Sequence, residues 1–249
     1  MPRFCANLTT LFTEAPLLER PALAVEAGFE AAEILFPYDG DAKALDRALA
    51  DAGLPLALIN CPLSGPADPA GFTAVPGQEA RFRDAFKRSM RAMDALGAER
   101  LHVMAGVAEG PEAAGVFADN MAWAAEAADG RQLTIEPMNP ADMPGYFLDD
   151  FSVALALLEE IDAPNLGLQF DAYHAHRITG DVPGTWAAVA PWVRHVQVAG
   201  VPGRHEPTGG AVDYPAFFRR LDAEGYDGWV GAEYHPRGQT GAGLDWLPN

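Results

Sequence analysis

The chain has 249 residues, 49% of them hydrophobic, enough for a substantial core in one large domain or two small ones. Its 35 acidic residues against 17 Lys and Arg give a formal net charge of −18, a field that repels phosphate backbones and anionic bilayers, so nucleic acid and membrane surfaces are poor partners. The two cysteines, Cys5 and Cys61, make neither a zinc-like pair nor a disulfide framework, and no stretch has membrane-span length or a signal-peptide pattern, so the expected location is the cytoplasm.

Short β-like runs alternate with longer helical patterns along the chain. RFCAN from residue 3 is followed by a helical stretch over 17–28, AAEILF from 31 by a helix over 42–53, and LPLALIN from 54 by a long one over 80–97. RLHVMA from 100 precedes a helix over 112–130, and RQLTIE from 131 precedes one over 150–161. After NLGLQFD from 165, the segment DVPGTWAAVAP leaves room for only a short helix; VRHVQVA from 193 leads to a helix over 214–226, and WVGAEY from 229 is the eighth run. Gly28, Gly53, Gly97, Gly130 and Gly225 fall where left-handed helix caps are expected.

Eight strand–helix units in about 250 residues is the typical size of a closed barrel. An open doubly wound sheet would carry a glycine-rich turn after its first strand, and NLTTLF has no glycine. No Ser- or Gly-rich linker divides the chain, so residues 1–249 read as one α/β domain, a single-domain (β/α)8 TIM barrel. The long segment over 62–77 is either a lid over the site or a surface loop.

Strand parity then locates the chemistry. Leu133 and Ile135 oppose Gln132, Thr134 and Glu136; Leu168 and Phe170 oppose Gln169 and Asp171; Val196 and Val198 oppose His195 and Gln197; Val230 and Ala232 oppose Gly231 and Glu233. The apolar parity belongs under the helices, so four consecutive strands turn Glu136, Asp171, Gln197 and Glu233 inward near their C-terminal ends, where such barrels keep their sites. Three converging carboxylates repel unless a cation joins them, and an all-oxygen donor set suits a hard divalent ion, Mg2+ or Mn2+. Glu33 on strand two reads equally as a structural acid or a site member. Asn7 and Asn60 end strands on the polar face and are candidate pocket residues, and His102 reads as substrate-facing or as a core histidine.

The stretches GFEAAEILFPYDGD from 28, RLHVMAGV from 100, TIEPMNPADMPGYFL from 134, LQFDAYHAHRITGD from 168 and HVQVAGVPGRHEP from 195 resemble the hydroxypyruvate isomerase family of the xylose-isomerase-like barrels. The resemblance spans nearly the whole chain. It implies that Glu136 and Glu233 form an acid/base pair that also reaches the metal, that Asp171 and Gln197 complete the ligands, and that His174 faces the substrate. Related ketose epimerases carry histidine at the Gln197 position, which favours the isomerase branch. Arg204 looks like the family's substrate-binding arginine, with Arg177 a second choice that reads equally as a surface ion pair. The loop departs from the family by continuing TGGAVDY. The implied reaction converts hydroxypyruvate to tartronate semialdehyde through an enediolate, by proton transfer or by hydride shift. A four-carbon 2-oxo-tetronate or a related sugar acid would use the same groups. An abasic-site endonuclease of the same barrel class and a non-catalytic metal or sugar-acid binding protein are remoter readings, and a homo-oligomer is compatible with the sequence.

Overall fold

A computed structural model describes residues 1–61 and 70–248 of the chain. Eight strands, β1 (Arg3–Asn7), β2 (Ala31–Glu33), β3 (Leu56–Asn60), β4 (Arg100–His102), β5 (Gln132–Ile135), β6 (Leu166–Asp171), β7 (Val193–Val198) and β8 (Trp229–Ala232), form a closed barrel in sequence order. Every strand pair is parallel, and β1 closes on β8 with Cys5 level with Gly231. The expected single-domain (β/α)8 barrel is therefore the fold. Among the described residues no helix is long and apolar enough to cross a membrane.

The alternation along the later strands is what closes it. Leu133, Ile135, Leu168, Phe170, Val196, Val198, Val230 and Ala232 join one continuous apolar core with the surrounding helices, where each fully buried Leu, Ile, Val or Phe side chain contributes about 1.5–3 kcal/mol. Cys5, Ala31, Ala57 and Trp229 form a separate small cluster toward the N-terminal ends of the strands. Above it the barrel interior is polar, with Asn7, Glu33, His102, Thr134, Gln169, His195 and Gln197 all buried.

The outer layer comprises α1 (Arg20–Glu26), α2 (Ala42–Ala52), α3 (Glu79–Leu96), α4 (Gly110–Ala127), α5 (Phe151–Ile161), α6 (Ala172–Thr179), α7 (Val182–Val189) and α8 (Tyr214–Ala223). Gly53 and Gly97 are left-handed C-caps as the sequence suggests. The helices α1, α4 and α8 have their C-caps slightly earlier than expected, at Ala27, Ala128 and Glu224, and the expected glycines follow at positive φ.

The main departure from expectation lies after β6. Two helices fill this crossover instead of one short one, and α6 starts with no loop at all. Asp171, the last residue of β6, is also the N-cap of α6, its Oδ1 accepting the Tyr173 N–H at 2.8 Å, and Gly180 ends the helix in the left-handed region. This fusion of strand end and cap fixes the direction of the second Asp171 oxygen.

Strands β2 and β4 are also shorter than their apolar runs: Ile34 and Val103 still donate to the neighbouring strands, at Leu58 O and Thr134 O, and loop partners take over beyond them. Leu35 N–H goes to Thr9 Oγ1 and Ala105 N–H to the Tyr146 hydroxyl. Of the 62–77 segment, residues 62–69 lie outside the described residues. The part from 70 onward is joined to the end of β4: Gly71 pairs antiparallel with Ala105, and Thr73 Oγ1 donates to Met104 O at 2.8 Å. The backbones touch so closely that a Cβ on Gly71 would lie 2.7 Å from Met104 O.

Candidate active site

At the C-terminal end of the barrel a cavity of about 220 Å³ is bounded by Glu136, Asp142, Gln169, His174, Arg204 and Glu233, with Met104, Met138, Met143 and Phe36 on its apolar side. Larger hollows exist on the flank, one of about 470 Å³ beside Phe218 and Trp246. The smaller cavity is the one into which the barrel's buried acids converge, so the chemistry is assigned there.

Glu136 and Glu233 each stand one residue past the end of their strands, where the chain leaves the ladder and the side chain can face the opening. Glu136 is 3% exposed; its Oε2 accepts from Gln169 Nε2 at 2.9 Å, and its Oε1 has no partner. Burial first, then the charges of Asp171 and Glu233, push its carboxyl well above the ordinary range. Burial likewise raises Glu233 to about 7 and Asp171 to about 6, with Arg204 opposing both shifts. All three acids therefore hold a proton more readily than an ordinary carboxylate does.

Arg204 is the local cation. Its Nη2 lies 3.2 Å from Glu233 Oε2 and 3.4 Å from Asp171 Oδ2, and its guanidinium stacks 5.1 Å over the Tyr173 ring. Burial alone would lower its pKa, but Glu233, Asp171 and Glu136 more than offset this. Arg204 takes a backbone φ of +51°, and its N–H is held by Gly200 O at 2.7 Å.

His174 is buried on the first turn of α6. Its Nδ1 accepts the Asn139 backbone N–H at 3.1 Å, and Asn139 Nδ2 lies 2.8 Å away, so the ring proton belongs on Nε2, 3.7 Å from Asp171 Oδ2. Burial, reinforced by Arg204, drops its pKa to about 3. His174 is therefore a neutral donor toward the cavity.

The donor set fits a divalent cation. One ligand atom each from Glu136, Asp171 and His174 lies within 4.8 Å of the others, Glu136 Oε1 is an orphan buried acceptor, and Glu233 faces the same space. Of the His174 nitrogens, Nδ1 is taken by Asn139, so carboxylate oxygens are the better donors.

The other residues singled out from the sequence have these places. Gln197 is fully buried, its Nε2 donating to Glu33 Oε2 at 2.9 Å and its Oε1 accepting from Gln169 at 2.7 Å. Asn60 lines the cavity with its Oδ1 unpartnered. Asn7 donates to Glu33 Oε2 at 2.9 Å and is completely buried. His102 brings Nε2 to 3.6 Å from Glu136 Oε2, and burial followed by His195 lowers its pKa to about 3. Arg177 donates from Nε to Asn139 Oδ1 at 3.1 Å and pairs with Asp142 at 3.8 Å, at the rim.

Two residues escaped the sequence reading as site members. Asn139 lies inside the IEPMNP stretch and organises His174, Arg177 and Asp142 together, and Gln169 bridges Glu136 to Gln197. Inward parity already marked Gln169. Asn139 is past the strand, so alternation gave it no signal.

Residues 21–249 match the sequence profile of the xylose isomerase-like TIM barrel family. A 2-oxo-tetronate isomerase of Cupriavidus necator is 43% identical over 99% of this chain and 98% of its own length. A putative hydroxypyruvate isomerase of Homo sapiens is 42% identical over 98% of this chain and 94% of its own. A crystal structure from Brucella melitensis described as a family 2 AP endonuclease superposes with a TM-score of 0.94 at 42% identity, covering 99% of this chain and 98% of that one. Matched over nearly its whole length to the family profile and to curated isomerases, the chain belongs to the xylose isomerase-like TIM barrel family and is an isomerase.

Proposed function

We propose that the chain interconverts hydroxypyruvate and 2-hydroxy-3-oxopropanoate, with Glu136 and Glu233 as the proton-transferring pair. The observation that carries this reading is a small cavity bearing two glutamates with raised proton affinity, Glu136 buried and Glu233 partly buried, and one guanidinium. Glu136, Asp171, Gln197 and Glu233 would hold a divalent ion, Mg2+ or Mn2+, which supplies Lewis-acid stabilisation of negative charge on the substrate oxygens.

The side chains account for the remaining chemistry. Arg204 offers the positive partner that a substrate carboxylate needs in so acidic a protein, which answers the paradox of an anionic substrate and a −18 chain. The His174 Nε2–H donates to a substrate oxygen. One glutamate removes a proton from C3 of hydroxypyruvate, leaving a planar enediolate. The other, across that plane, delivers a proton to C2, while the hydroxyl proton passes from the C3 oxygen to the C2 oxygen. The methionine-lined wall excludes water from the intermediate.

A four-carbon 2-oxo-tetronate is the second reading, favoured by the name of the Cupriavidus necator relative. The AP-endonuclease description of the Brucella structure suggests DNA cleavage, but 35 acidic against 17 basic residues offer no electrostatic footing for a duplex. The test is isomerisation followed by proton NMR in D2O, with metal-stripped protein and then with Mg2+ or Mn2+ restored. Metal-dependent turnover with deuterium entering C2 supports the proton-transfer reading; turnover without deuterium leaves two routes, a hydride shift or a proton shielded from solvent. Turnover of the four-carbon acid alone replaces the substrate.

A further inference from the structure

One polar group at the cavity serves neither the reaction nor the metal. Among the described residues, Leu35, Phe36, Asn60 and Met104 line the cavity from the side of β2, β3 and β4, and of these only Asn60 is polar. Its backbone is held on both sides: the N–H donates to Leu35 O at 2.8 Å, and the carbonyl accepts from the Tyr38 hydroxyl at 2.6 Å. The residue is 5% exposed, and its Nδ2 faces Met104 Sδ at 4.0 Å. A thioether sulfur is a weak acceptor, so the amide turns its nitrogen to Met104 and leaves Oδ1 without a partner. A buried carbonyl oxygen without a donor costs free energy until a ligand supplies one.

Topology sets this acceptor at the far end of the cavity from Arg204. In a closed ring of eight strands β3 is four places from β7, and so stands across the barrel from it. Asn60 is the last residue of β3, and Arg204 lies in the loop that follows β7. Glu136, Asp171 and Glu233, at the ends of β5, β6 and β8, are on the Arg204 side. A 2-oxo acid whose carboxylate meets Arg204, and whose C2 and C3 lie among these acids, extends its next carbon toward β3. Hydroxypyruvate ends at C3 and presents nothing there. A 2-oxo-tetronate carries a C4 hydroxyl, and the otherwise apolar wall offers that donor one acceptor.

We propose that Asn60 is a specificity-determining residue: its Oδ1 accepts the C4 hydroxyl of a four-carbon 2-oxo acid, so that the chain tells this acid from one lacking the hydroxyl. The placement rests on the proposed function, which puts the substrate carboxylate at Arg204. The hydroxyl is what is read, and chain length is not, because Phe36 and Met104 accept a methyl group in the same space.

The deciding experiment compares 2-oxo-tetronate with 3-hydroxy-2-oxobutanoate, the same acid without its C4 hydroxyl, in wild-type and Asn60→Leu protein loaded with Mn2+. The kcat/KM ratio should favour 2-oxo-tetronate by about tenfold or more in wild type and fall close to one in the variant. A wild-type ratio near one, or an equal loss on both acids in the variant, overturns the proposal. Should Asn60→Leu fail to fold, Asn60→Ala removes the same acceptor without adding bulk and is read the same way. A second readout needs no turnover: calorimetric titration of the Mn2+-loaded protein with erythronate and threonate, each beside the 2,3-dihydroxybutanoate that matches it except at C4. The tighter of the two tetronates should bind about tenfold more tightly than its match, and Asn60→Leu should close the gap. Equal affinities within each pair in wild type, a gap that survives the substitution, or no binding by any of the four overturns the proposal. If wild-type protein turns over no acid, the proposed function falls, and the titrations still decide the role of Asn60.

Discussion

Glu33 and Glu136 are both buried glutamates on the inner face of one barrel, yet they are treated differently by their neighbours. Glu33 receives four donors. Glu136 receives one, from Gln169, keeps an unpartnered oxygen, and faces two further carboxylates. A buried acid whose oxygens are fully hydrogen-bonded organises structure, whereas one left short of partners, beside like charges, is available to take a proton or a cation. Burial alone does not mark a reactive acid; its deficit of donors does.

The sharpest way to break this contrast is to remove the reactive charges. Glu136→Gln and Glu233→Gln should each lower kcat by about 10²–10⁴-fold, with circular dichroism and thermal melting showing an intact fold. If either substitution leaves kcat within a few-fold of wild type, that residue does not belong to the proposed acid/base pair. Arg204→Ala tests the cation that now balances them. KM for the acid substrate should rise roughly 10–100-fold. Mn2+ titrated without substrate should bind more tightly, because the competing guanidinium beside Asp171 and Glu233 has gone. Weaker Mn2+ binding would mean that Arg204 supports the ligands instead of competing for them.

The same contrast explains what the sequence disclosed. The barrel was legible because outward apolar and inward polar residues alternate on β5 to β8, and burial on both sides leaves little freedom in register. The convergence of Glu136, Asp171 and Glu233 followed from that alternation alone. The state of each acid did not, because donor count is a property of neighbours from strands far apart in the chain: Glu33 meets His195 and Gln197 across more than 160 positions. The start of α6 was also hidden. Its signal, Asp171 as a cap followed by a glycine nine residues on, falls on the residue that strand parity already marks as an inward acid. One residue serving as strand end, helix cap and site acid gives three readings at once, and parity exposes only one of them.

A smaller effect is expected where the organising acid is crowded. Gly231→Ala places a Cβ against Glu33 Oε1, and the strand must shift or the carboxylate must leave its donors. Overpacking of this kind costs about 1–3 kcal/mol, which a urea melt resolves. A neutral outcome would show that Glu33 has room to move and that its hydrogen bonds are not tightly imposed.

The mildest prediction concerns pH. In the folded protein Glu233 protonates at about 7 instead of 4.5, and Asp171 at about 6 instead of 3.8, with burial as the leading cause. Between the ordinary values and these raised ones the native state holds protons that the unfolded chain has released, so stability declines as pH rises through that window and levels off above it. Below it both states are protonated and the penalty is absent. Acids stabilised by their partners, such as Asp150 beside Ser152, contribute in the opposite sense, and only at lower pH. The melting temperature of metal-stripped protein should therefore fall between pH 5.5 and 7.5, and Glu233→Gln should flatten the slope. Mn2+ added at pH 7.5 should reverse the fall, since a cation in the cavity does what the protons did. A melting temperature that climbs steadily over that range would show that the cavity acids are as well partnered as Glu33, and the distinction between the two sites would fail.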